Sequence, residues 1–172
     1  MRKETHAGPV VGAGRILVIG VGNAYGGDDA AGPTVAQRLK EHVPGHVTVM
    51  EHLGDGAALM ELWKGAAAVI VIDAASSGAP PGTVHRFEAH AAPLPAKMLR
   101  HSTHAFGVPE AIEMSRALNQ LPARLIVFAV EGRTFAAGAA LSQEVETSVP
   151  VVNDLVLKAI DTLGNLRLTI PD

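Results

Sequence analysis

The chain of 172 residues contains no cysteine. Disulfides, thiolate nucleophiles and cysteine-ligated zinc are therefore excluded, and redox chemistry gives no clue to compartment. Aromatic residues are only 3% of the total and the formal charge is −3. A basic stripe with interleaved rings is missing, so neither nucleic acid nor an anionic membrane surface is an expected partner. Long apolar runs are missing too. The longest, Ala66–Ile72, stops at Asp73, far short of the ~20 residues that span a bilayer. No HExxH and no GxSxG occurs, which removes the conventional zinc-peptidase helix and leaves serine catalysis without support.

What is present suits a well-buried core: 48% hydrophobic and 18% charged residues in a length that fits one domain. Residues 1–14 carry charges but no signal-peptide core. They read as a flexible leader, with residues 15–172 as a single domain, and the cytoplasm is the expected location. Ile16–Val21, His46–Met50, Ala66–Ile72, Thr83–Glu88 and Arg124–Val130 read as strands, the third apolar enough for burial on both faces. Helical spacing links Val35, Leu39 and Val43, then Leu59, Leu62 and Trp63. It recurs over about 104–119 and again from Ser142 to Leu163, where Pro150 should kink or split the helix. Strands alternating with helices predict an α/β fold: a three-layer, open, mostly parallel twisted sheet of about five strands with helices on both faces. Only about ten residues join the third strand to Thr83–Glu88, too short a connection for a parallel crossover, so that strand is expected to be an antiparallel edge.

In such sheets ligands sit beyond the carboxyl ends of the strands. Asp28 and Asp29 follow the first strand, Asp73 ends the third, Glu131 ends the last, and His104 opens the helix leading into that last strand. Each also has a structural explanation. An aspartate at a helix start is usually a cap, although one cap suffices for two adjacent aspartates. Asp73 can cap a turn, yet a charge directly after seven apolar residues is costly without a partner or ligand. His104 can belong to an ordinary first helical turn, with His101 beside it in the loop, and a turn contact accounts for Glu131 equally well. Two carboxylates and an imidazole would suit nickel, zinc, manganese or iron, with coordination positions left open.

Three segments carry a resemblance. ILVIGVGNAYGGDDAAGPTVAQRL, VIVIDAASSGAPPGTV and STHAFGVPEAIEMSRAL are similar, in order and spacing, to the GxGN loop with its acid, the strand ending in Asp, and the helix-opening histidine of the hydrogenase maturation proteases. The likeness runs on through LIVFAVEG and covers nearly the whole chain beyond the leader. It implies a hydrolase, an aspartic-type, metal-dependent endopeptidase, that cuts a C-terminal extension from the precursor of a nickel-containing hydrogenase large subunit after nickel insertion. It further implies Asp29, Asp73 and His104 as metal ligands, with Asp29 or Asp73 as the catalytic proton acceptor. Nickel would be presented by the precursor, and zinc or cadmium could substitute. Asn23, Asp28, Gly54, Gly56 and Glu131 are then expected to line the substrate cleft.

The chain departs from that pattern in two places. The first acid is Asp where some members have Glu, one methylene shorter. The loop EHLGDG does not match the family's glycine-rich cleft loop, and within it Asp55 also reads as a helix cap. Two other functions compete. Gly20-Val21-Gly22 with Gly26 and Glu51 imitates a dinucleotide fingerprint, but the spacing is GxGxxxG, and Asp28 and Asp29 would repel a pyrophosphate. A non-catalytic chaperone for a metalloenzyme precursor would use much the same groove as a protease.

Overall fold

The computed structural model describes residues 14–99 and 104–167. The leader and His101 fall outside these residues or at their border. Five strands, β1 (Ile16–Val21), β2 (Val47–His52), β3 (Ala68–Ala75), β4 (Val84–Glu88) and β5 (Arg124–Glu131), form one sheet in the order β2-β1-β3-β5-β4. The first three pairings are parallel, and β4 lies antiparallel on the edge against β5, as its short connection requires. Helices α1 (Ala31–Leu39), α2 (Gly56–Trp63), α3 (Val108–Ala117) and α4 (Gln143–Arg167) complete the three layers. Among the described residues, no helix is long and apolar enough to cross a membrane.

Strand alternation sorts the core into two halves. Ile16, Val18, Ile70, Ile72, Phe128 and Val130 face α1 and α4. Leu17, Ile19, Val21, Val69, Val71 and Val127 face α2 and α3. All residues of β1 and β3 are buried, which explains their unbroken apolar character.

Two helices differ from their sequence-based limits. α3 begins at Val108, and His104 lies on a bend ahead of it. Gly107 is extended and its N–H donates to Glu110 Oε2 at 3.0 Å, which fixes the helix start there, with Pro109 in the first turn. α4 runs as one element through Pro150. Pro150 and Glu146 are both exposed, so the carbonyl that loses its helical partner stays open to water.

The chain passes from β1 outward to β2 and then returns to the other side of β1 as β3. The crevice between the carboxyl ends of β1 and β3 is therefore the switch point of the sheet, where α/β proteins bind ligands. α1 packs directly over this boundary because two glycines let backbone meet backbone. A Cβ on Gly20 would strike Gly32 O and lie 2.6 Å from Ala36 Cβ. A Cβ on Gly32 would strike Val21 O and lie 2.5 Å from Ile72 O and 2.7 Å from Val21 N. None of the backbone atoms can give way without moving a central strand. Gly32→Ala should therefore lower stability by about 3 kcal/mol, whereas Gly45→Ala, with nothing within 4 Å of the added carbon, should change it little. Urea unfolding of the two variants checks this.

Candidate active site at the switch point

Register brings three residues into one row at the carboxyl edge. His52 pairs with Val21, and Asp73 follows Ile72, the partner of Gly20. By strand alternation, His52, Val21 and Asp73 share the α2/α3 face. His52 and Asp73 thus flank Val21 two strand spacings apart, ~10 Å. Gly54 and His104 lie over this row: a Cβ on Gly54 would be 3.1 Å from Val21 Cγ1 and 3.9 Å from His104 Cδ2. Gly54 has φ +101°, which only glycine adopts at low cost. Gly56 N–H donates to Phe106 O at 2.9 Å, tying the β2–α2 loop to the segment that carries His104. Gly54 therefore lies against Val21 and His104, and Gly56 against Phe106. Asp55 caps α2 through Oδ1, which accepts from Ala58 N–H at 2.8 Å.

Asp29 comes from a 3₁₀ turn over Gly27–Ala30 that joins β1 to α1. Its Oδ2 accepts from Asn23 N–H at 2.8 Å, and Asn23 Oδ1 in turn accepts from Tyr25 N–H at 2.9 Å. Asp73 is only 8% exposed, and its Oδ1 accepts from Ala74 N–H at 2.8 Å. Burial raises the Asp73 carboxyl well above the usual aspartate range, the Asp29 carboxylate raises it further, and the Ala74 N–H opposes both. Asp29 and Asp73 therefore form an interacting carboxyl pair, one member biased toward holding a proton.

Asp28 and Glu131 do not line the cleft as expected. Asp28 is fully buried, and its carboxylate accepts from Arg133 N–H (2.7 Å), Thr134 N–H (3.1 Å), Ser142 N–H (2.7 Å) and Ser142 Oγ–H (2.8 Å). It clasps the post-β5 loop and the start of α4 to the 3₁₀ turn. Glu131 is 2% exposed and accepts from Ser77 N–H (2.6 Å), Gly78 N–H (3.0 Å) and Ser77 Oγ–H (2.9 Å), with His85 Nε2 at 3.4 Å. It closes the β3–β4 turn. Burial without a ligand is tolerable for both because their oxygens are saturated.

Among the described residues, no three His, Asp or Glu side chains stand close enough together to hold a metal ion. The donor chemistry at the switch point nevertheless suits a divalent first-row cation: carboxylate oxygen from Asp29 and Asp73 and imidazole nitrogen from His104. A cation there would also relieve the charge that burial penalises at Asp73. The residue that sequence reasoning missed is His52. Its ring loses proton affinity through burial, Asp55 opposes this, and the neighbouring His104 adds to the loss. The available signal was its place directly after a strand, which the expected end of that strand at Met50 concealed.

Two stability measurements follow from these environments. The raised Asp73 carboxyl makes the native state hold a proton more tightly than the unfolded chain. Stability from this group is thus complete below the ordinary aspartate range and is lost as pH rises toward the raised value. In the presence of chelator, Asp73→Asn should melt above wild type at pH 7.5, and the gap should close near pH 4. Asp28→Ala leaves several buried donors unpaired and should cost about 3 kcal/mol or more in thermal or urea unfolding.

The hydrogenase maturation protease family model HycI matches residues 33–159, a span that includes Asp73 and His104. The hydrogenase expression/formation protein HupD of Thiocapsa roseopersicina is 28% identical over 118 residues, 67% of this chain and 53% of the relative. HupD of Rhodobacter capsulatus is 27% identical over 113 residues, 64% and 54% of the two chains. The chain thus spans about half the length of these curated relatives. Among solved structures, the hydrogenase maturating endopeptidase HybD from E. coli shares the fold with a TM-score of 0.75 at 24% identity, over 87% of this chain and 94% of that one. The [NiFe] hydrogenase maturation protease HybD from Thermococcus kodakarensis has a TM-score of 0.67 at 26% identity, over 84% and 98%. With a family match across most of the described fold and an acid pair set in its switch-point crevice, the chain belongs to the hydrogenase maturation protease family.

Proposed function

We propose that this protein is an endopeptidase that removes a C-terminal extension from the precursor of a nickel-containing hydrogenase large subunit after nickel has been inserted. The observation that carries the proposal is the interacting Asp29–Asp73 pair at the switch point of a chain from this family. The related HybD proteins, a hydrogenase maturating endopeptidase and a [NiFe] hydrogenase maturation protease, support the same activity. Nickel enters this scheme as part of the substrate, recognised by Asp29, Asp73 and His104. Zinc or cadmium would suit the same nitrogen and oxygen donors.

Peptide hydrolysis needs a group to take a proton from water and a group to give one to the leaving amine. Asp29, whose Oδ2 already accepts the Asn23 N–H, is suited to the carboxylate role. Asp73, raised by burial and by Asp29, is suited to hold the proton. Asn23, on the exposed loop after β1, would keep Asp29 oriented through its N–H. Asp29, Asp73 and His104 would be the residues that hold the substrate's ion, which would supply Lewis-acid chemistry at the scissile bond.

Asp29→Asn and Asp73→Asn should each lower the rate of precursor shortening by at least about 100-fold, with the fold retained. The measurement is the mass of a purified nickel-loaded precursor after incubation with each variant. Unchanged rates in either variant would remove that residue from the chemistry. Wild type that binds the precursor and leaves it uncut would point to a non-catalytic precursor-binding protein instead.

A further inference from the structure

Beside the carboxyl pair lies a cavity of about 340 Å³, lined by the Gly22–Tyr25 loop, Pro33 and the end of β2 at Glu51, His52 and Leu53. Asn23 connects it to the chemistry, because the same residue that lines the cavity donates its N–H to Asp29. Tyr25 and Leu53 are 80% and 70% exposed. Two large apolar side chains thus remain uncovered at a cavity whose other side is an edge strand.

The chemistry of His52 is fixed by one bond. Its Nδ1 accepts Gly54 N–H at 2.9 Å. The lone pair of Nδ1 is therefore occupied, the neutral ring carries its proton on Nε2, and His52 is a donor. This excludes His52 as a ready metal ligand, since Nε2 would have to lose its proton and Nδ1 its acceptor role. Among the described residues, Nε2 makes no hydrogen bond. Of the other polar side chains lining the cavity, Glu51 is engaged with Lys40 Nζ at 3.0 Å and Asn23 Oδ1 accepts Tyr25 N–H at 2.9 Å. His52 lines the cavity, so its Nε2–H is available to an acceptor that enters it.

We infer that His52 is a substrate-binding residue, donating through Nε2–H to a main-chain carbonyl oxygen of the extended precursor segment that lies between Tyr25 and Leu53. This rests on the protease reading of the site. It adds a sequence-independent grip beside the carboxyl pair. A main-chain acceptor fits a neutral donor better than a metal ion would, and the apolar rim fits the side chains of an extended peptide. His52 would set the distance of that segment from Asp29 by holding its backbone in the row that also contains Asp73.

Two substitutions separate substrate binding from loop support. His52→Asn places an amide oxygen near the position of Nδ1, keeping an acceptor for Gly54, but lacks a donor at the reach of Nε2. His52→Gln places a donor at that reach and gives up the Gly54 contact. The probe is a purified nickel-loaded large-subunit precursor, fluorescently labelled on its C-terminal extension. Binding is read by anisotropy, cleavage by mass, and folding by thermal denaturation. The expected result is about five- to ten-fold weaker binding for Asn, the loss of one neutral hydrogen bond, with most of the affinity recovered in Gln. The cleavage defect of Asn should appear in KM more than in kcat. Wild-type affinity in Asn, or equal weakening in Asn and Gln, would overturn the inference, as would failure of the wild type to bind the nickel-loaded precursor. Binding that follows this pattern without any cleavage would uphold the role of His52 and overturn the protease reading instead.

Discussion

The close approach of α1 to the two central strands sets the position of everything at the carboxyl edge. Gly20 and Gly32 allow helix backbone to sit on strand backbone, so residues 22–30 must bring the chain from the end of β1 directly back over the strands. That connection ends in the 3₁₀ turn carrying Asp28 and Asp29. Side chains at the glycines would lift α1 and carry Asp29 away from Asp73. The packing of a helix start is thus inseparable from the electrostatics of the crevice.

Three buried carboxyl groups at this edge have different surroundings. Asp28 and Glu131 are surrounded by N–H and O–H donors, which replace the lost water and hold loops in place. Asp73 accepts from Ala74 N–H and faces a second acid. A protein with only structural needs would gain stability by giving Asp73 a neutral replacement. Its energetically poor setting accords with the catalytic role proposed for it above. The two saturated acids, by contrast, make the edge rigid enough to keep Asp29 and Asp73 within interaction distance.

The histidines divide in a comparable way. His104 is carried by a bend, tied through the Phe106–Gly56 bond to the β2–α2 loop. His52 is carried by a strand end and has its tautomer set by Gly54. One is suited to present a nitrogen lone pair to an ion, the other to present a proton to a peptide carbonyl. Gly54, lying beside both rings and Val21, is the contact through which their positions are linked. Its positive φ explains why this loop carries glycine there.

Alternating apolar runs and helical spacings were enough to read the layers, the edge position of β4 and the burial of β3, because strand and helix periodicities are local properties of the chain. The motifs likewise singled out Asp29, Asp73 and His104 as residues for one edge. Local pattern could not separate Asp28 from Asp29. Both precede the same helix, and only the arrival of residues 133–142 from the far end of the chain supplies the donors that turn Asp28 into a clasp. Glu131 is decided in the same way by Ser77 and Gly78. His52 became visible only through the register of β2 on β1, which sets it in one row with Val21 and Asp73. Sequence by itself determined which elements form and which residue types end them. Tertiary structure alone decided which of those polar ends meet donors and which face the crevice, because hydrogen bonding and desolvation at each position depend on neighbours distant in the chain.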